Sequence, residues 1–136
     1  MIQFYFLSIL LNGLSGYALA GYADDDAMAL DTGFRFSLHN ETCRFILGTA
    51  TILVGLLKIL SSLRGDVPVI GDIIPALAGL LAGFILVFEY YRSRSTLEPE
   101  HTEKIEQLLI HNKKWVGYFA LTAALLHFLL PSALFL

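Results

Sequence analysis

Residues 44–60 read RFILGTATILVGLLKIL, an apolar run bounded by two cations and interrupted by two glycines. A helix turns about 100° per residue, so Arg44, Gly48, Thr51, Gly55 and Lys58, spaced 4, 3, 4 and 3, share one stripe. The middle of that stripe is small and its ends are basic. In lipid, apolar contact with a neighbouring helix gains little over contact with acyl chains, so a row of small residues marks the face on which another backbone approaches. The stretch predicts a membrane helix that packs through this seam.

The rest of the chain has the same character. It has 136 residues, 56% of them hydrophobic and 15% charged, whereas an average soluble domain has about 25% charged residues. Its mean hydropathy is +0.66. A span needs about 20 mainly apolar residues, and stretches near 1–20, 45–62, 72–91 and 115–136 qualify. They predict an all-α polytopic membrane protein, a single four-transmembrane-helix bundle. Ala18-Leu19-Ala20 closes the first span with a pattern that signal peptidases favour. No Lys or Arg precedes its apolar part, so the first helix is expected to be retained. A net charge of −3 excludes a nucleic-acid-binding surface. Cys43, the only cysteine, rules out an intrachain disulfide and a cysteine-based zinc site.

Cations set the expected orientation. Arg35 and Arg44 fall in or beside loop 21–44, Arg92, Arg94, Lys104, Lys113 and Lys114 in loop 92–114, and only Arg64 in the short turn between spans two and three. Lys and Arg mark the cytoplasmic side, which puts both longer loops in the cytoplasm and both termini outside. Asp24-Asp25-Asp26 lacks the spacing and distal Glu of a calcium loop, so it reads as solvated acid. Phe34, Phe36 and Leu38 read as a segment resting on the membrane, and Asn40-Glu41-Thr42 matches a glycosylation pattern on the wrong side of the bilayer. Loop 92–114 contains a capping-box-like Ser95-Thr96-Leu97-Glu98, then Pro99, a Glu100–Lys104 pair and an apolar stripe of Ile105, Leu108 and Leu109. These predict an interfacial helix over about 99–112, either docking a partner or extending span four.

The other spans carry matching seams. Span three has Gly79 and Gly83 around Ala82, with Pro75 before them; span four has Gly117, Ala120, Ala124, His127 and Pro131; span one has Ser8, Asn12, Ser15, Gly16 and Ala20. A charge at the bilayer centre costs roughly 3 kcal/mol and usually finds a partner. An antiparallel hairpin turning near residue 66 sets Lys58 level with Asp72 and Arg44 level with Glu89, which predicts two ion pairs. The alternative is that all four groups reach separate interfaces.

Catalytic patterns are sparse. Cys43 lies near His39 without a nucleophile turn or a second cysteine, and His101 and His111 lack the spacing of a helical metal pair. No metal site and no cofactor are predicted. His127 is the ionisable group deepest in an apolar span, and with Asn12 it forms the one candidate ligand site.

The series Arg44-x3-Gly48-x6-Gly55-x2-Lys58, followed by Ile59-Leu60, resembles the first-helix signature of the DoxX family, small four-helix bacterial membrane proteins associated with redox enzymes and quinone-linked electron transfer. The likeness spans about 17 residues, from Arg44 to Leu60. In that family the motif helix is normally the first span and the characteristic acid lies earlier in the next helix than Glu89 does. The resemblance implies a bound quinone or lipid near His127, Asn12 and the Arg44–Glu89 level. The residues themselves favour a non-enzymatic accessory or scaffold subunit of a larger membrane protein complex, with other subunits, lipid or a second copy as partners. A small transporter component is a third reading.

Overall fold

The computed structural model describes residues 2–21, 40–62, 69–96 and 103–130, with the side chains of residues 2, 61, 62 and 69–72 excepted. The expectations for Asp24-Asp25-Asp26, for Phe34, Phe36 and Leu38, and for the cap within residues 97–100 lie outside these residues. Four helices are described: α1 (Ile2–Gly21), α2 (Glu41–Ser62), α3 (Val69–Arg94) and α4 (Glu103–Leu129). Within them, Gln3–Gly21, Glu41–Leu60 and Ile73–Arg94 are long and apolar enough to cross a membrane.

Two boundaries differ from the sequence reading for local reasons. α2 begins at Glu41 because Asn40 caps it: the Thr42 N–H donates to Asn40 Oδ1 at 3.1 Å, satisfying one of the donors that a helix start leaves open. Glu41 then places a carboxylate in the first turn, where the helix dipole favours it. Of the two readings for the helix expected over about 99–112, the structure shows the extension of span four: from Glu103 it is continuous with that span. No proline or glycine interrupts the sequence between Glu103 and Val116, and α4 runs unbroken for 27 residues, about 40 Å at 1.5 Å per residue.

The helices pack chiefly as two antiparallel pairs, α2 with α3 and α1 with α4; α1 also touches α2 and α3, and α3 touches α4. Glycine decides how close each pair comes. A Cβ on Gly83 would lie 2.7 Å from the Gly48 carbonyl oxygen, and one on Gly48 would lie 2.9 Å from the Gly83 carbonyl oxygen. In the other pair a Cβ on Gly117 would stand 2.6 Å from the Ala20 backbone nitrogen, and one on Gly16 would stand 2.8 Å from the Gly117 carbonyl oxygen. Gly55 sits against the Ala76 carbonyl and Gly79 against the Asn12 side chain.

The interior follows from these approaches. Its buried cluster is Ala18, Leu19, Ala78, Ala82, Ile85, Leu86, Ala120 and Ala123, joined by buried Ser8, Asn12, Ser15, Thr51, Lys58 and His127. The outer surface carries the bulk: Phe4, Phe6, Ile46, Leu53, Leu57, Leu81, Phe84 and Phe128 are all exposed. Small and polar residues inside with large apolar residues outside is the arrangement expected where the surroundings are as apolar as the core.

Candidate functional site

The ionisable groups of the bundle gather at its two ends. At one end, Arg44 of α2 donates through Nη2 to Glu89 Oε2 of α3 at 2.5 Å, and Lys113 of α4 donates to Glu89 Oε1 at 3.2 Å. Each oxygen of one carboxylate thus takes a cation from a different helix. The three side chains are mostly buried, Arg44 and Glu89 at 16% exposure and Lys113 at 23%, so these charge-assisted bonds are less screened than surface pairs. Outward from this centre, Arg92 pairs with Glu106, and Ser93 Oγ donates to Glu41 at 3.2 Å with Arg94 nearby. Phe45 packs on Tyr90 with ring centroids 4.5 Å apart. Between α2, α3 and α4 these residues leave a cleft of about 380 Å³, lined by Glu41, Arg44, Glu89, Tyr90, Arg92 and Lys113 over Leu86 and Ile110.

At the other end, Lys58 Nζ lies 2.9 Å from His127 Nε2, and both residues are at least 95% buried. An ammonium carries no lone pair, so a protonated Lys58 donates and Nε2 accepts. The level argument set Lys58 against Asp72; the Asp72 side chain lies outside the described residues. Tyr5 completes the group from α1: its ring lies 4.5 Å from that of His127, and its hydroxyl donates to the His127 carbonyl. That carbonyl is in the last turn of α4, where it would ordinarily take an N–H from residue 131. Residue 131 is proline, which has no N–H to give. The Tyr5 hydroxyl supplies the missing donor.

This contact yields a direct test. Tyr5→Phe keeps the ring against His127 and removes only the donor, leaving a buried carbonyl open, and should lower stability by about 1–3 kcal/mol. Reversible unfolding in mixed detergent micelles measures it; an unchanged midpoint refutes the capping role.

Asn12, the other ligand candidate of the sequence reading, bonds to α3. Its Nδ2 donates to the Pro75 carbonyl at 2.9 Å, and its Oδ1 stands 2.6 Å from where a Gly79 Cβ would be. It ties α1 to α3, and only because position 79 has no side chain. Ser15 and Thr51 form a similar tie at 2.7 Å between α1 and α2. Thr51 spends its one proton on the Leu47 carbonyl, so Ser15 is the donor between them.

Tyr5 and Lys113 are the two site residues that the sequence reading missed. Lys113 was detectable: Lys113, Gly117, Ala120, Ala124 and His127 are spaced 4, 3, 4 and 3, the same series as Arg44, Gly48, Thr51, Gly55 and Lys58. The two seams also occupy matching places. Gly48 meets Gly83 of α3 as Gly117 meets Gly16 of α1; Arg44 and Lys113 converge on Glu89, and Lys58 meets His127. Cys43 is half-buried at the start of α2 and does not line the cleft.

Comparison with known proteins places the chain by sequence alone. Residues 1–127 match the model of an uncharacterised protein family. Over 136 residues, covering the whole of both chains, the sequence is 30% identical to an uncharacterised protein of Treponema pallidum (strain Nichols). Neither match links it to DoxX, and no solved structure matches.

Proposed function

This chain belongs to that family, and from that premise we propose that it is a non-enzymatic accessory or scaffold subunit of a larger membrane protein complex, its four helices all crossing the bilayer. The observation that carries the reading is where the polar groups go. Arg44, Glu89, Lys113, Lys58, His127, Asn12, Ser15 and Thr51 each bond to another helix of the same bundle. Their hydrogen bonds lock the bundle into one arrangement. What the bundle offers outward is a surface of large apolar side chains, suited to lipid and to partner helices.

Mass measurement after gentle solubilisation tests this. A stoichiometric partner protein is the expected result, and a lone monomer overturns the reading. The orientation that goes with it, with the Arg44 end in the cytoplasm, has its own test. In a C43S chain, a cysteine introduced at exposed Lys104 (K104C) should react with an impermeant maleimide only after the cells are opened. Labelling on intact cells reverses the orientation.

The second reading is a small ligand, a quinone or lipid, as the DoxX resemblance implies. Clustering of Tyr5, Lys58 and His127 at one end supports a ligand site there, while Asn12 gives one N–H to the Pro75 carbonyl of α3. His127→Leu should release a co-purifying quinone under this reading.

A further inference from the structure

We propose that the cleft at the Arg44 end holds the phosphodiester headgroup of an anionic phospholipid. The proposal rests on the membrane reading and concerns what binds at that end, whichever way the protein faces.

Charge comes first. The cleft lining has three cations, Arg44, Arg92 and Lys113, and two carboxylates, Glu41 and Glu89, an excess of one positive charge. A singly charged phosphodiester matches that excess, whereas a dianionic phosphate monoester would overrun it and meet both carboxylates. Depth separates the cations into two roles. Arg44 and Lys113 are held on Glu89 in the mostly buried floor. Arg92 stands at the rim with its side chain 50% exposed, able to turn from Glu106 toward a ligand oxygen.

Size and surroundings then favour a lipid over a free ion. A volume of about 380 Å³ takes a headgroup but not a whole lipid, and it greatly exceeds what one phosphate ion needs. Leu86 and Ile110 line it together with the Tyr90 ring. From this level the acyl chains run toward the bilayer centre along the apolar outer surface of the bundle, where Ile46 and Phe84 are exposed. The helices that line it, α2, α3 and α4, include two that are long and apolar enough to cross a membrane, and their charged ends are where lipid phosphates lie.

The test uses the full chain in mild detergent. It is offered phosphatidylglycerol and phosphatidylcholine in equal amounts, or inorganic phosphate alone, and the bound molecules are counted by native mass spectrometry. Phosphatidylglycerol should be retained over phosphatidylcholine, and inorganic phosphate should not displace it. Arg92→Gln should weaken that retention roughly tenfold, the loss of one charge-assisted contact, while lowering the unfolding midpoint only slightly, because the Arg92 side chain is 50% exposed and a half-exposed ion pair adds little stability. Lys104→Gln removes an exposed α4 cation outside the cleft and should change nothing. Equal retention of both lipids, displacement by phosphate alone, or an equal loss in Lys104→Gln and Arg92→Gln would each overturn the proposal. Retention of the chain in the membrane fraction after an alkaline carbonate wash reports on membrane insertion separately, so failure of the cleft and failure of the membrane reading are distinguishable.

Discussion

Replacing Glu89 with Gln is expected to cost more stability than removing the charge of either Arg44 or Lys113. The reason is that one carboxylate serves two cations from two helices. Without its charge, Arg44 and Lys113 both lose the carboxylate that joins them in a mostly buried space, and breaking a buried pair in this way costs about 3–5 kcal/mol. Arg44→Gln leaves Lys113 on Glu89 and Lys113→Gln leaves Arg44 on it, so each should cost about 1–2 kcal/mol. The charge exchange follows the same logic. Glu89→Arg alone sets three cations together and should be the worst variant. Adding Arg44→Glu should recover part of that loss, the remainder being repulsion between the guanidinium newly placed on α3 and the Lys113 ammonium. Unfolding midpoints in mixed micelles read the series; equal losses for Glu89→Gln and Arg44→Gln would show that the carboxylate is not shared.

The second large effect is steric. Gly83→Ala should lower stability by about 1–3 kcal/mol, because its Cβ would lie 2.7 Å from the Gly48 carbonyl oxygen, and a helix backbone cannot retract as a flexible side chain can. Gly117→Ala should behave alike, its nearest contact being the Ala20 backbone nitrogen. Gly13 is the control. A Cβ there meets nothing closer than Ala124 Cβ at 4.0 Å, so Gly13→Ala should be neutral or stabilising by up to about 1 kcal/mol through helix propensity. If Gly83→Ala and Gly13→Ala behave alike, close backbone approach is not what holds α2 to α3.

These two sets of residues show what was legible in sequence and what was not. The α2 seam and its partner on α3 followed from spacing and from the hairpin, since residues joined by a short turn meet at levels that their numbers fix. Arg44 and Glu89 came out at one level that way, and the structure brings them together. A turn fixes levels only within its own hairpin, so the approach of Lys58 to His127 on α4, a helix with no short connection to α2, lies outside that count. The Tyr5 contact was hidden because the open carbonyl is created by Pro131, four residues beyond the acceptor, and filled by a residue 122 positions away. Starting span four at residue 115 leaves Lys113 in the loop, although its spacing from Gly117 already places it on the α4 seam.

The pairing of the helices also sets a timetable. α2 and α3 are neighbours in sequence and can close on each other as soon as both have left the ribosome. α1 is made first, yet its closest partner is α4, the last helix described. At about 5–20 residues per second, the Gly16 face waits on the order of ten seconds for Gly117. In that interval the Asn12 and Ser15 hydrogen bonds, to α3 and α2, are the ties available to hold α1 beside the hairpin. An α1 not held in this way is open to the α4 of another copy, and exchange of an element between copies is a low-cost route to a dimer. The buried amide and hydroxyl of α1 are bonded to helices that are complete before α4 is made, so these two ties, unlike the Gly16–Gly117 contact, do not wait on it.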